Sequence, residues 1–428
     1  MSQLRYQAGF GNEFASETVP GALPVGQNSP QRPPLGLYSE LISGTTFTAP
    51  RAFNRRSYVF RARPSAHAIA FAPVDAGSFK TPPLDIPPYP GALRWAPFDH
   101  DQAPADFIAG LTTVCGNGSP QSQTGLAIHV YCANRSMTGR AFSNGDGEML
   151  IIPQQGALRI TTELGVLEAV PGELLLLPRG IKFRVDLIDD SARGFVCENY
   201  GLPFILPELG LIGSHGNANA IDFQVPVAAC DDGDLPTVIT HKYCGALWSA
   251  QLPHSPFDVA AWRGNWYPCK YDMRRFNTVG SLSWDHPDPS IFCALTSPSH
   301  DVMGANVDLL ILPPRWVVAE HSFRPPGFHR NAAAEFLGLI TGSHDSRNSG
   351  FPPGSMSLHN NWTAHGPDLA TLDAGQAAEL KPQKIEDSMV FMLETRFPFQ
   401  HSAAAMNAPN RQTDCAQGWA GFQRRFPA

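Results

Sequence analysis

The frequency of glycine and proline limits this chain more than any other feature. It has 38 glycines and 40 prolines in 428 residues, about 18% where a globular chain usually has roughly 12%. Glycine costs backbone entropy inside a helix, and proline removes a helix hydrogen bond and clashes with the preceding turn. Long helices therefore have little room, and the chain is expected to be mostly β, with many turns and long irregular connections. The segment NGDGEMLIIPQQGALRITTELGVLEAVPGELLLLPRGIKFRVDL predicts strands at about 147–153, 157–162, 165–169, 173–177 and 181–187. Their short turns suit an antiparallel sandwich or barrel. Two strands are expected around Gly245, one over 57–67, and further ones within 281–295, 308–320, 334–342 and 388–397. The chain thus divides into two β-rich halves, 1–280 and the smaller 281–428.

Residues 1–60 have no periodicity, and Pro or Gly recurs every few positions. They also carry apolar anchors such as Phe10, Phe14, Leu37 and Phe47, too many for a solvated tail. An ordered arm is expected, packed on the body or on a neighbouring subunit. Residues 72–106 read as Pro-rich and irregular. Trp262, Trp266, Tyr267 and Tyr271 read as packing between the two halves.

The net charge of −7 comes without a Lys/Arg run, so neither nucleic acid nor an anionic membrane is an expected partner. No apolar stretch is long enough for a membrane span, and MSQLRYQAGFGNEF lacks the apolar core of a signal peptide. Eight scattered cysteines include no CxxC pair. A reduced, cytoplasmic protein with mostly buried thiols is expected.

Half of the fourteen histidines fall in one fifth of the chain, at 286, 300, 321, 329, 344, 359 and 365. Glu335 lies among them. His329 and Glu335 are six residues apart, as are His359 and His365. On a helix that spacing points side chains well over a right angle apart, and on a straight strand it separates them by about 20 Å. Ligand bonds are near 2 Å, so a shared ion requires both segments to bend. His329, Glu335 and His365 would then form a two-imidazole, one-carboxylate face with open positions, as non-haem Fe(II) enzymes use. The residues alone leave open a metal-free protein that serves in storage or assembly. They also leave open an isomerase that uses a different divalent ion.

The strand rhythm of 144–187 resembles a cupin barrel. Gly172, Glu173, Pro178 and Gly180 stand in the order of the cupin's second motif, with Phe183 where a metal-binding histidine would sit. The region of about 130–200 is therefore either a metal-free cupin or a plain β-sandwich. A longer resemblance covers nearly the whole chain. YQAGFGNEFASE, PGALPVGQNSPQ, DHPDPSIFCALTSP, LPPRWVVAE, FRPPGFHRNAAAEFLGLI and GSMSLHNNWTAHGPD resemble the homogentisate 1,2-dioxygenase family in content and order. The resemblance implies cupin-like β-sandwich or barrel domains, a larger N-terminal and a smaller C-terminal catalytic one. It implies Fe(II) as cofactor, homogentisate and O₂ as substrates, and ring opening to 4-maleylacetoacetate in tyrosine and phenylalanine breakdown. It also implies a homo-hexamer built as a dimer of trimers. By motif position it implies His329, Glu335 and His365 as iron ligands and His286 as the acid/base residue. His359, Asn331, His365 and His344 are implied to face substrate.

Three departures from the family pattern stand out. His344 replaces a substrate-contacting Tyr, Trp262-Arg263-Gly264-Asn265 replaces WHGN, and Pro268-Cys269-Lys270-Tyr271 replaces PYKY. A histidine at 344 predicts weaker or more pH-dependent substrate binding than a phenol would give.

Overall fold

A computed structural model describes residues 4–67, 69–99, 103–210, 212–279, 281–285, 288–300, 304–344 and 350–426. It is 40% strand and 8% helix. The strands expected over 144–187 form at Glu148–Gln155, Leu158–Thr162, Gly165–Ala169, Glu173–Leu177 and Lys182–Leu187. Gly245, at φ +83°, turns Thr237–Tyr243 into Ala246–Leu252 as a hairpin.

Two antiparallel sheets organise the molecule, and they share one winding. In the N-terminal sheet the six central strands run, in spatial order, Cys269–Asp272, Glu173–Leu177, Glu148–Gln155, Ala192–Asn199, Thr124–Ala133 and Leu111–Ser119. In the C-terminal sheet the order is Leu93–Trp95, Met356–His359, Ala334–Thr341, Met389–Thr395, Val307–Leu312 and Cys293–Ser297. Apart from the first strand, each sheet visits its positions in the same chain order. The first strand breaks the rule. Leu93–Trp95 belongs to the earlier half of the chain, yet it pairs with Met356–His359 of the C-terminal sheet. Gln400–His401 goes the other way and extends the N-terminal sheet.

Because strand residues alternate between faces, each sheet has two sides. One side of each contributes to a shared core holding Leu150, Ile152, Phe195, Leu309, Phe336 and Leu393. The Phe195 ring lies 5.0 Å from Phe391 and 6.3 Å from Phe336. Burial of such a side chain contributes about 1.5–3 kcal/mol, so this seam fixes the two sheets back to back. On its other side the N-terminal sheet faces a second, seven-stranded sheet. The space between them is filled by Phe142, Phe183, Met149, Ile151 and their neighbours.

The arm is ordered on the body. Tyr6–Ala8 pairs with Phe223–Pro226, while Phe14–Glu17 and Arg56–Arg61 flank Val259–Gly264. The latter strand ends at Arg61, short of the predicted 67, and Arg61 is buried against Asp258 (2.8 Å) and Glu163 (3.2 Å). The four aromatic residues expected between the halves all lie in the core cluster that the two sheets share, and Phe10 and Phe14 of the arm pack against it. Tyr267 meets Phe14 at 5.3 Å, Tyr271 stacks on Phe223 at 4.5 Å, and Ser57 Oγ donates to the Trp266 carbonyl. They hold the arm to the N-terminal body, because the strand that leads into them is the one the arm sandwiches. Among the described residues no helix is long and apolar enough to cross a membrane.

Candidate metal centre

The C-terminal barrel brings His329, Glu335 and His365 together. One ligand-type atom from each lies within 4.8 Å of the others. Both bends that the spacing required are present. The backbones of His329 and His365 pair as a two-residue bridge, N–H to carbonyl in both directions at 3.0 and 3.1 Å. Glu335 enters from the second residue of Ala334–Thr341, and His359 ends the neighbouring strand directly opposite it. Trp362, between the two histidines, takes φ +62°. A bulky residue in that region costs of order 1–3 kcal/mol and persists only where its surroundings enforce it. Here the Trp362 N–H donates to the Asn331 carbonyl at 2.8 Å.

Hydrogen bonds decide which ring nitrogens face the site. His329 Nδ1 lies 2.7 Å from the Gly327 carbonyl, and His365 Nδ1 lies 2.8 Å from the Thr363 carbonyl. A carbonyl can only accept, so each Nδ1 donates and each Nε2 keeps its lone pair for the site. His365 Nε2 is 3.2 Å from Glu335 Oε2. Asn331 Nδ2 donates to the other carboxylate oxygen, Oε1. His359 stacks on His365 at 4.0 Å with the rings 8° from parallel, and its Nδ1 is 3.8 Å from Glu335 Oε2. Burial pushes the Glu335 carboxyl up, but His359 and His365 outweigh it and hold the group well below the usual carboxylate range. The site thus offers two imidazole Nε2 atoms and one carboxylate. That donor set suits a divalent iron-type ion and lacks the thiolates and fourth ligand of a closed structural zinc site.

Two further carboxylates share the face. The registers place Thr296, Asp308, Glu394, Glu335 and His359 in one row across five strands. Glu394 is pushed up to about 8 by burial, then by the charges of Glu335, Asp308 and Asp288. Sequence reading missed Glu394 and Asp308. The signal that could have found them is a lone acid at inward parity within an apolar strand, as in VDLLIL and MVFMLET.

The other expected residues fall as follows. Asn331 and His359 are at the centre. His286 lies outside the described residues. Among its described neighbours, the Asp285 N–H donates to Ser322 Oγ, and Asp288 accepts from the Ser290 N–H. His344 is not brought to the cluster within one chain. It lies beyond the far end of Ala334–Thr341, its ring 5.8 Å from Phe351. The strand from Glu335 to Thr341 alone spans roughly 20 Å.

Two family models match the chain. Homogentisate 1,2-dioxygenase N-terminal covers residues 5–273, and homogentisate 1,2-dioxygenase C-terminal covers residues 274–426. Solved structures similar to this chain include a formate complex of Lactobacillus farciminis oxalate decarboxylase, at 11% identity over 72% of this chain and 87% of that one, TM-score 0.30. A cupin 2 conserved barrel domain protein from Leptotrichia buccalis is 7% identical over 67% of this chain and 89% of that one, TM-score 0.28. A protein of unknown function from Pseudomonas syringae pv. tomato is 11% identical over 72% of this chain and all of that one, TM-score 0.33. With both family models matched in order and end to end, the chain belongs to the homogentisate 1,2-dioxygenase family, whose members are iron-dependent ring-cleaving enzymes.

Proposed function

We propose that His329, Glu335 and His365 hold the Fe(II) with which this dioxygenase opens homogentisate to 4-maleylacetoacetate, in tyrosine and phenylalanine breakdown. The observation that carries the residue assignment is the pair of Nδ1 bonds to Gly327 and Thr363, which turn both Nε2 atoms toward an ionised Glu335. When bound, Fe(II) supplies the one-electron chemistry through which O₂ reacts with the hydroquinone ring. The chain's own residues do the rest. Asn331 fixes one oxygen of Glu335, and stacked His359 walls the pocket beside His365. His286, between Asp285 and Asp288 in the sequence, takes the phenolic proton, a task that suits an imidazole near neutral pH. Both atoms of O₂ enter the product, and the ring carbon–carbon bond breaks. A direct contact from His344 to the acetate arm would have to come from another copy of the chain.

A homo-hexamer, as a dimer of trimers, is proposed for the assembly. Support comes from the arm, which leaves Val25, Leu35 and Phe47 exposed at 98%, 67% and 84%. A cytoplasmic location is proposed from eight cysteines that form no disulfide, five of them buried.

The test is oxygen uptake by iron-loaded protein under reducing conditions. One O₂ consumed per homogentisate is expected, and no uptake would contradict the reading. His286→Ala should retain iron yet lose about 10²–10⁴-fold in turnover.

A further inference from the structure

The two ligand-bearing turns are tied to each other, but one is also tied to a distant part of the chain. Asn360, next to His359 and 5% exposed, donates through Nδ2 to the Tyr89 carbonyl (3.1 Å) and the Phe399 carbonyl (3.2 Å). Its Oδ1 accepts from the Phe399 N–H at 2.7 Å. Thr363, also 5% exposed, donates through Oγ1 to the Pro90 carbonyl at 3.1 Å. The carbonyl of the same Thr363 receives His365 Nδ1. Pro90, Thr363 and His365 therefore form one chain of contacts that ends at the metal-facing nitrogen's own ring.

The segment that supplies Tyr89 and Pro90 is built to be a fixed reference. In DIPPYPGALRW, three prolines pin φ and remove N–H donors, so the segment is stiff and its carbonyls are left to accept. It is anchored on both sides of the contact. Ile86 bridges His401, and Leu93–Trp95 pairs with Met356–Leu358. Trp95, fully buried, donates Nε1 to the Ala405 carbonyl at 2.8 Å.

We propose that this strap, residues 86–95, positions the metal turn 359–365 through Asn360 and Thr363, so that a segment of the N-terminal half sets how firmly His365 holds its metal. Asn360 and Thr363 are positioning residues and touch no reacting atom. The proposal rests on His329, Glu335 and His365 being the metal set.

The test is anaerobic Fe(II) affinity by chelator competition, read beside the melting temperature of the metal-free protein. Thr363→Val keeps the shape of the side chain and removes the hydroxyl, and Thr363→Ser restores it. Thr363→Val and Asn360→Ala are each expected to weaken Fe(II) binding about 10–100-fold, the usual cost of losing a group that orients a ligand. Thr363→Ser should stay within about twofold of wild type. Unchanged affinity in both Thr363→Val and Asn360→Ala would overturn the strap's role, whatever happens to the melting temperature. His365→Ala separates the two claims. If it loses Fe(II) while the strap variants keep it, the metal set stands and the strap fails. If it keeps Fe(II), the metal set itself is wrong.

Discussion

The two back-to-back sheets repeat one winding and one register, yet among the described residues only one side carries a metal-type site. Aligned by cross-strand partners, the C-terminal row Asp308, Glu394, Glu335, His359 corresponds to Ala127, Glu198, Met149, Leu177 in the N-terminal sheet. Methionine and leucine thus stand where the C-terminal half has Glu335 and His359. The one acid kept in both rows is treated in opposite ways. Glu198 is fully buried with Lys242 Nζ at 2.5 Å, Tyr200 Oη at 2.9 Å and His129 Nε2 at 3.3 Å. Burial raises its pKa, but Lys242 and His129 outweigh that and hold it well below the usual range. Glu394 has no such cation among the described residues and is pushed up to about 8 by burial and by neighbouring carboxylates. The N-terminal barrel brings its own positive charge. The C-terminal barrel leaves a carboxylate face that favours a cation from outside. The fold alone does not make the site. Two or three inward positions do.

The comparison can be broken in several ways, and the largest effect is expected at its centre. Glu335→Ala should abolish iron retention and reduce ring cleavage to background. Its register counterpart Met149→Ala should leave one iron per chain and instead cost about 2–5 kcal/mol of stability. Metal analysis with denaturant unfolding distinguishes the two.

Next is the internal cation. Lys242 also lies 3.2 Å from Asp146, so Lys242→Met strands two buried carboxylates. A loss of about 3–5 kcal/mol is expected, because breaking a buried pair leaves an uncompensated charge. The double variant with Glu198→Gln should recover part of it in urea unfolding. An unchanged midpoint in Lys242→Met would mean the ammonium is not needed.

How far the sequence foresaw this architecture depends on distance along the chain. Gly and Pro spacing located the 148–187 strands to within a residue or two, since turn chemistry is local. The six-residue spacings required bends, and the His329–His365 bridge supplies them. Strand exchange was not legible. Leu93–Trp95 sits in a Pro-rich stretch that reads as irregular, and only its partner Met356–Leu358, far along the chain, makes it a strand. The row containing Glu394 was hidden for the same reason, because cross-strand neighbours share no local pattern. Lys242 and Glu198, 44 positions apart, gave no sign of meeting.

A third prediction concerns pH. Glu148, at the start of its strand, is buried, and its pKa is raised to about 7 by burial despite a hydrogen bond from the Phe204 N–H. The folded state therefore binds more protons than the unfolded state between about 4.5 and 7, and stability falls as pH rises through that window. The shift corresponds to about 3 kcal/mol. Glu148→Gln should flatten that slope in unfolding measured from pH 4.5 to 8, and an unaltered slope would contradict the assignment.

The smallest effect is expected at His344. His344→Tyr should lower KM for homogentisate a few-fold, about 0.5–1 kcal/mol for one hydrogen bond, and flatten its dependence between pH 5.5 and 8. A KM unmoved in both value and pH profile would remove His344 from substrate binding.

The most direct test of the contrast between the two barrels is the stoichiometry of anaerobic Fe(II) binding. One ion per chain in the wild type, and none in Glu335→Ala, is the predicted result. Two ions per chain, or one retained in Glu335→Ala, would contradict it.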